Sequence, residues 1–266
     1  MKCMLLFISF LSLLITPAVA QDNRSPEAEF DIATKLNWKQ VFTDDCKTKW
    51  KNKWFLDGEQ ARIINGPDGM DFYAGKCIDN DASHAVLWTK QTFSGDIRIE
   101  YDFTRLDTLS VPNNVNIIYL LAEGSGMGEY TKDIYCWRSL RKAPSMDIYF
   151  NHMSAYHISY AVNGAGGTEK NYLRARRYIP ETGKGLQGTA LTPEYSNILF
   201  FEPGVKHHIT IIKCRNMIYM MVKNNERETL FHFSTANHKD LKSGRIGLRH
   251  MWKRDSRYAN FTVYQL

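Results

Sequence analysis

The chain has 266 residues, of which 44% are hydrophobic, 23% charged and 13% aromatic. This composition is typical of a globular protein with a full hydrophobic core, and it excludes an intrinsically disordered chain. The formal net charge of +6 is modest and the charged residues are spread along the chain, so the sequence does not favour nucleic-acid binding.

The N-terminal residues have the pattern of a secretory signal peptide. Lys2 is followed by the hydrophobic run MLLFISFLSLLI and then by TPAVA, in which Ala18 and Ala20 are the small residues that precede a cleavage site. We therefore expect cleavage after Ala20 and a mature protein in the periplasm or outside a bacterial cell, with a eukaryotic secreted protein as the alternative. No later segment offers the roughly 20 apolar residues of a membrane-spanning helix, so membrane insertion is not expected.

Residues 21–36 are polar and lack periodicity, which indicates a flexible lead-in. Residues 37–266 then form a single predicted domain, because a β-sandwich of this size commonly remains undivided. Strand-like runs separated by turn residues occupy 84–93, 95–106, 114–123, 155–162, 171–179, 207–214, 216–224, 244–252 and 258–266.

The clearest of these runs is GDIRIEYDF. Its hydrophobic residues Ile97, Ile99, Tyr101 and Phe103 alternate with charged ones, as in a strand that is buried on one face. Helical periodicity is scarce along the chain. Many short strands with few helices predict an all-β protein, an antiparallel β-sandwich of the jelly-roll type.

Removal of the leader takes Cys3 away and leaves Cys46, Cys77, Cys136 and Cys214. Four cysteines allow three pairings in an oxidising compartment. Cys46 with Cys77 is the most plausible disulfide because these two are nearest in sequence, and buried free thiols are the alternative. No Cys-x-x-Cys occurs, so no zinc site is expected.

Several segments carry a resemblance to a known family. The order of HAVLWT, GDIRIEYDF, MDIYFNHMSAYHISY, the arginine-rich strand, GRIGLRHM and RYANFTVYQ is similar to that of the bacterial domain of unknown function 1961, the YesU-like family. The resemblance covers the chain from about Trp38 to Leu266. It implies a galectin-like or concanavalin A-like jelly roll in a family associated with bacterial use of complex polysaccharides. The positions that best match the family pattern are Trp88, Asp102, Asp147, His157, Tyr160, Arg174 and Arg249.

The stretch NYLRARRYIPE holds three arginines and two tyrosines within seven positions. In a strand, Tyr172, Arg174, Arg176 and Tyr178 lie on one face, because successive side chains alternate. The segment AYHISYAV places Tyr156, Ile158, Tyr160 and Val162 on the core side, and His157 and Ser159 on the other. In GRIGLRHM, Arg245 and Arg249 share a face with Gly247, which leaves a gap between them. We expect these strands to form a cationic, aromatic-edged groove on the concave sheet.

A groove of this kind favours a carboxylated sugar polymer. Guanidinium groups pair with carboxylates in a bidentate manner, and aromatic rings stack on sugar rings. We therefore predict an acidic, uronate-containing polysaccharide or oligosaccharide as the partner, bound by Arg174, Arg176, Arg245, Arg249, Trp88 and Asp147. The alternative for the arginines is a solvated sheet edge that blocks aggregation.

A His, Tyr and Arg cluster in an exported domain favours an enzyme, and β-elimination fits these residue types best. A lyase needs a group that neutralises the carboxylate, a base for the C5 proton and an acid for the leaving oxygen. Arg174 or Arg176, His157, and Tyr172 or Tyr178 are the candidates for these roles. No metal or other cofactor is predicted, although a structural calcium ion is left open.

Two other functions are left open. One is a non-catalytic, lectin-like carbohydrate-binding module. The other is a glycoside hydrolase that uses carboxyl groups such as Asp133, Asp147 and Glu169. In either case, the segment ETGKGLQGTALTPEYSN, residues 181–197, is predicted to be a long surface loop that borders the groove, because its Gly, Pro and Thr content resists regular structure.

Overall fold

A computed structural model describes residues 24–111, 114–162 and 171–266. The predicted signal peptide, residues 1–20, lies outside these ranges. The described residues form two α-helices, α1 (Pro26–Thr34) and α2 (Met146–His152), and sixteen β-strands. The strands are β1 (Lys39–Asp44), β2 (Trp54–Asp57), β3 (Arg62–Gly66), β4 (Gly69–Tyr73), β5 (Ala85–Thr89), β6 (Phe93–Ser94), β7 (Ile97–Arg105), β8 (Asn116–Gly124), β9 (Met153–Tyr160), β10 (Tyr172–Tyr178), β11 (Ala190–Ser196), β12 (Lys206–Cys214), β13 (Met217–Lys223), β14 (Glu228–Ser234), β15 (Ser243–His250) and β16 (Asp255–Gln265).

The strands form two antiparallel sheets. Sheet one has the order β14-β13-β12-β7-β16-β4-β3, with β1 paired to β16. Sheet two has the order β2-β5-β15-β8-β9-β10-β11, with the short β6 paired to β15. Strand β11 also meets sheet one, where Thr192 is opposite Ser234. The predicted all-β, antiparallel architecture is confirmed.

The main core lies between the two sheets. Phe103 of sheet one and Tyr160 of sheet two, for example, pack edge to face with ring centroids 5.2 Å apart. Strand β7 alternates between buried and half-buried positions along its length, as the pattern of GDIRIEYDF predicts. Every residue of β9 is buried, including those on the face that points away from the main core. Part of that outer face of sheet two therefore has its own cover, while His157 and Ser159 line a pocket.

The lead-in and the predicted loop both contain more regular structure than their composition indicates. Within 21–36, helix α1 begins at the N-cap Ser25, whose hydroxyl accepts a hydrogen bond from the Ala28 N–H. Phe30 of α1 packs on Tyr219 of sheet one, with ring centroids 5.9 Å apart. Within 181–197, residues 190–196 form β11 because their backbone completes sheet two beside β10. Only 183–189 connect this strand to the short turn at Pro180–Thr182.

The predicted disulfide between Cys46 and Cys77 is wrong, since all of the cysteines in the described residues are free thiols. Cys46 is fully buried in the main core, where burial raises its thiol pKa above the ordinary value. Cys77 is exposed on the surface. The alternative of buried free thiols holds for Cys46 and Cys214, whereas Cys77 and Cys136 are exposed. Proximity in sequence did not translate into proximity in the fold.

Candidate functional site

The outer face of sheet two is divided into a covered half and an open half. Over the strands β5, β15 and β8, helix α2 and the preceding segment pack on the sheet and form a second hydrophobic cluster. The residues that cover the sheet include Ile134, Trp137 and Tyr149, all of them buried. Over residues 157–159 of β9 and 172–176 of β10, the face opens into a pocket. The predicted groove therefore extends over only part of the sheet.

Trp88 belongs to the covered half and has no exposed surface. Its indole N–H donates to the Asp57 carboxylate at 2.7 Å, and its ring stacks on Tyr119 with centroids 5.3 Å apart. The Asp57 carboxylate also accepts from the Tyr149 hydroxyl at 3.0 Å and forms an ion pair with Arg141. Trp88 was predicted to bind substrate, but the structure makes it part of the core.

The gap predicted beside Gly247 is filled by the Trp88 ring. Gly247 is opposite Trp88 in the β15–β5 register, and a side chain at Gly247 would overlap the indole. Arg249 is fully buried and donates to the Pro144 carbonyl at 2.8 Å, with the Tyr149 ring 4.6 Å from its guanidinium carbon. Arg245 is also buried and pairs with Asp133 at 2.9 Å. Neither arginine lines the pocket, contrary to their predicted role.

The predicted carboxylates are also outside the pocket. Asp147 is exposed on the first turn of α2 and accepts a hydrogen bond from the Ser145 hydroxyl. Asp133 is occupied by Arg245, and Glu169 lies outside the described residues. Asp102 belongs to sheet one, where it pairs with His208 at 2.9 Å. None of the three described carboxyl groups, those of Asp102, Asp133 and Asp147, lines the pocket that is described below.

The open half forms a pocket of about 400 Å³, which we call the arginine pocket. Strands β8, β9 and β10 contribute Ile117, His157, Ser159, Tyr172, Arg174 and Arg176. Loops and the start of α2 contribute Asp81, His84, Met146, Leu186, Met251 and Trp252.

Arg174 and Arg176 lie side by side on the pocket face of β10, as alternation predicts. Arg174 is paired with Glu194 of β11 at 3.1 Å, in an ion pair that is nearly half exposed, and its guanidinium carbon lies 4.0 Å from the centroid of the Tyr172 ring. Arg176 is half-buried and donates to the Thr189 hydroxyl at 3.3 Å. Within the described part of the chain, no carboxylate lies within ion-pairing distance of Arg176. Most of its N–H donors are therefore available to a ligand.

His157 is the direct cross-strand neighbour of Arg176, so it lies beside the arginines and not across a groove from them. Its two ring nitrogens form hydrogen bonds with the hydroxyls of Tyr178 and Ser159. Burial, followed by the nearby charges of Arg176 and Arg249, lowers the pKa of His157 well below its ordinary value. The imidazole is therefore neutral, and both of its nitrogens are already engaged.

The two tyrosines of β10 have different environments. Tyr178 is fully buried and holds His157, and burial raises its pKa well above the ordinary value. Tyr172 lines the pocket, is partly exposed, and has its pKa raised by burial against the opposing influence of Arg174 and Arg176. Tyr172 can contact a ligand directly, whereas Tyr178 acts on the pocket only through His157.

The sequence did not predict several pocket residues, and two of them have polar aromatic rings, His84 and Trp252. They lie at the outer ends of the strand-like runs 84–93 and 244–252, and in the structure His84 precedes β5 and Trp252 follows β15. Their rings are 6.0 Å apart, brought together by the loops at the ends of two adjacent strands. Each of the two residues lies at the end of a strand. The pairing of those two strands is the only signal that could have placed the residues together.

The described residues contain no cluster of three His, Cys, Asp or Glu side chains that could hold a metal ion. Among the helices of residues 24–111, 114–162 and 171–266, none is both long and apolar enough to cross a membrane.

Comparison with solved structures identifies the fold. A Bacillus subtilis protein of unknown function with a galectin-like fold superposes with a TM-score of 0.63 at 18% identity, over 86% of this chain and 98% of that one. The exoplasmic/lumenal domain of VIP36, solved with Ca2+ and Man3GlcNAc bound, gives a TM-score of 0.53 at 11% identity, over 86% and 90% of the two chains. Lectin II from Ulex europaeus gives 0.52 at 7% identity, over 85% and 98%. No protein-family model and no protein of curated function matches the sequence. At these identities the likeness concerns the fold alone, which is the galectin-like, concanavalin A-like jelly roll.

Proposed function

We propose that this protein binds an acidic saccharide in the arginine pocket without carrying out a chemical step on it. The observation that carries the proposal is the half-buried Arg176 guanidinium, which faces the pocket and has no carboxylate partner among the described residues. A partly desolvated guanidinium of this kind favours an anionic ligand, and its planar array of donors matches a carboxylate.

The neighbours of Arg176 complete a surface for a sugar ring. The pocket walls offer the Tyr172 ring and the hydroxyl of Ser159, and Arg174 adds a second guanidinium at the rim. Aromatic faces and a small number of oriented polar groups are the usual components of a ligand pocket. The fold adds support, because VIP36 was solved with Man3GlcNAc bound on the same type of scaffold.

β-Elimination is less well supported than binding. A lyase base has to take a proton from C5, and its efficiency depends on a pKa near the working pH. His157 has a pKa well below the ordinary value and both of its ring nitrogens engaged with Tyr178 and Ser159. Of the two candidates for the acid, Tyr178 is fully buried and Tyr172 lines the pocket, so a proton donor is present but a suitable base is not.

The test measures binding and turnover in the same samples. Oligomers of galacturonate, mannuronate and glucuronate of equal length, together with a neutral gluco-oligosaccharide, are titrated by calorimetry at low and high salt. We expect the uronates to bind and the neutral oligomer not to bind, with affinity that weakens as salt screens the charges. Prolonged incubation should produce no ultraviolet absorbance from unsaturated uronates and no new reducing ends.

Binding of the neutral oligomer with equal affinity would contradict the acidic partner. Time-dependent absorbance from unsaturated uronates would contradict the non-catalytic role and restore the lyase hypothesis.

The cellular location and the family are part of the same proposal. The pattern of the first 20 residues supports export to the periplasm or the exterior, where a saccharide ligand would be met. Membership of the YesU-like family is supported by the order of the segments from HAVLWT to RYANFTVYQ, and the galectin-like fold is the one that this resemblance implies.

A further inference from the structure

The arginine pocket contains two hydrogen-bond donors that no described residue uses. The Nε2 atom of His84 and the indole Nε1 atom of Trp252 are buried and make no hydrogen bond with any described residue. Both side chains line the pocket, and their ring centroids are 6.0 Å apart. A buried donor without a partner costs about 1–3 kcal/mol, so two such donors in the lining of one pocket favour a ligand that supplies an acceptor.

The proton of His84 is placed on Nε2 by its neighbour Arg249. The Arg249 Nη2 atom lies 2.9 Å from His84 Nδ1, and a guanidinium can only donate, so Nδ1 is the acceptor in this contact. The Pro144 carbonyl is farther from Nδ1, at 3.3 Å. Burial, followed by the Arg249 charge, lowers the pKa of His84 to about 3, so the ring is neutral and Nε2 carries the hydrogen.

The backbone holds Trp252 in a fixed position. This residue has φ of +51° in the turn between β15 and β16, a conformation that is uncommon for a large side chain. The Gly75 N–H donates to the Trp252 carbonyl at 3.0 Å, and the Arg254 N–H donates to the Met251 carbonyl at 3.1 Å. The main chain that carries the indole is therefore held in place by hydrogen bonds, and the ring lies beside that of His84.

The lining on this side of the pocket favours a neutral acceptor that carries an apolar group. The Asp81 carboxylate lies 3.5 Å from His84 Nδ1, is largely exposed, and also lines the pocket. It opposes the charge of Arg249, whose guanidinium is 2.9 Å from the same nitrogen, so these two groups leave no net positive charge at His84 to hold a second carboxylate or a sulfate. The lining of the pocket also includes the apolar side chains of Val115, Ile117 and Met251.

We infer that this side of the pocket takes an acetyl group, with the carbonyl oxygen at His84 and Trp252 and the methyl group on the apolar lining. The ligand would then be an acetylated uronate oligosaccharide, whose carboxylate is bound by Arg176. A free hydroxyl in the same place would accept the same hydrogen bonds, but it would leave Val115, Ile117 and Met251 against a polar group. This inference rests on the proposed function and adds the acetyl group to it.

The experiment compares one oligouronate in two forms. O-acetylated oligomannuronate and the same sample after saponification have equal length and equal charge, and each is titrated into the full protein. We expect the acetylated form to bind about 10-fold more tightly, because it adds a hydrogen bond and a buried methyl group.

Trp252→Phe tests the assigned donor, because it retains a ring and removes the N–H. The ratio of the two affinities should fall about 3- to 10-fold in this variant, in line with the loss of one hydrogen bond. Trp38→Phe is the matched control, since the Trp38 indole donates to the Ala33 carbonyl beside α1 and is not in the pocket. Its ratio should equal that of the unmodified protein.

A second measurement covers the case in which Trp252→Phe does not fold. With a 13C-labelled acetyl group on the ligand, the unmodified protein should show nuclear Overhauser contacts from the acetyl methyl to Met251 and Trp252. Equal affinity of the acetylated and saponified forms, without these contacts, would overturn the acetyl site and leave the proposed function standing. Failure of both forms to bind would overturn the proposed function itself.

Discussion

The covered and open halves of sheet two begin from the same sequence pattern and end with opposite roles. Both place arginines at alternating positions of a strand, Arg245 and Arg249 in β15 and Arg174 and Arg176 in β10. In the covered half, the arginines are buried, and their contacts are with carbonyls, a carboxylate and aromatic rings of the protein itself. In the open half, nothing in the described chain neutralises Arg176. A basic strand face becomes a binding site only where the rest of the chain leaves it open.

The largest expected effect is a loss of stability when the covered half is altered. Asp57→Ala removes the acceptor shared by Arg141, Trp88 and Tyr149, and leaves the buried Arg141 guanidinium with carbonyl acceptors but without a counter-charge. We expect the free energy of unfolding to fall by about 3–5 kcal/mol, measured by urea denaturation. Asp147→Asn, on the exposed side of α2, is the control and should change stability by less than about 0.5 kcal/mol. A small loss for Asp57→Ala would mean that the covered half does not depend on this network.

The next effect is on the pH dependence of stability, through two histidines that line the pocket of the open half. His84 and His157 are neutral in the folded protein because burial lowers their pKa values, whereas in the unfolded chain they take up protons near their ordinary pKa of about 6.5. Their contribution to stability is therefore complete above about pH 6.5 and is lost as the pH falls below it, by up to about 1.4 kcal/mol per pH unit for each histidine. Urea denaturation between neutral and acid pH should show this slope.

Protonation of Asp255 should reduce the loss of stability that occurs as the pH falls. Burial and the nearby Asp107 raise the pKa of its carboxyl group to about 6, so its protonation at low pH favours the folded state. The double variant His84→Phe and His157→Phe should lose part of the slope, and the rest should remain because burial also lowers the pKa values of His207 and His250. An unchanged slope would show that other groups control acid stability.

The third effect is on ligand binding by Arg176. Arg176→Ala removes the guanidinium that faces the pocket, and the affinity for oligouronates should fall by about 10- to 100-fold, as expected for a hydrogen bond to a charged group. Stability should change little, because this side chain makes one hydrogen bond with the protein. Arg257→Ala on sheet one, where Arg257 is paired with Asp71, is the control with the same change of charge. Equal losses of affinity in the two variants would indicate a general effect of net charge.

The smallest effect is that of Arg174. Glu194 already satisfies this guanidinium in an exposed ion pair, so a ligand has to compete with it. We expect Arg174→Ala to weaken oligouronate binding by about 2- to 5-fold, and Glu194→Gln to strengthen it by a similar factor. Calorimetry at low salt would measure both. A loss for Arg174→Ala as large as that for Arg176→Ala would show that the two arginines act as one unit.

The sequence by itself determined the fold class and the faces of the strands. Alternation of side chains is a local property of extended backbone, so the pattern of GDIRIEYDF predicted the burial of β7, and that of YLRARRY placed Arg174 and Arg176 on one face. Likewise, Tyr156 and Ile158 point to the main core, while His157 and Ser159 point to the outer face.

Only the tertiary structure decided which parts of those faces are open. The burial of Trp88 and Arg249 depends on helix α2, a segment from elsewhere in the chain, and the meeting of His84 with Trp252 depends on the pairing of β5 with β15. Strand periodicity does not predict such contacts, because loops and a helix from other parts of the chain make them with the outer face of the sheet. For the same reason, Cys46 and Cys77 are close in sequence and yet remain unpaired in the fold.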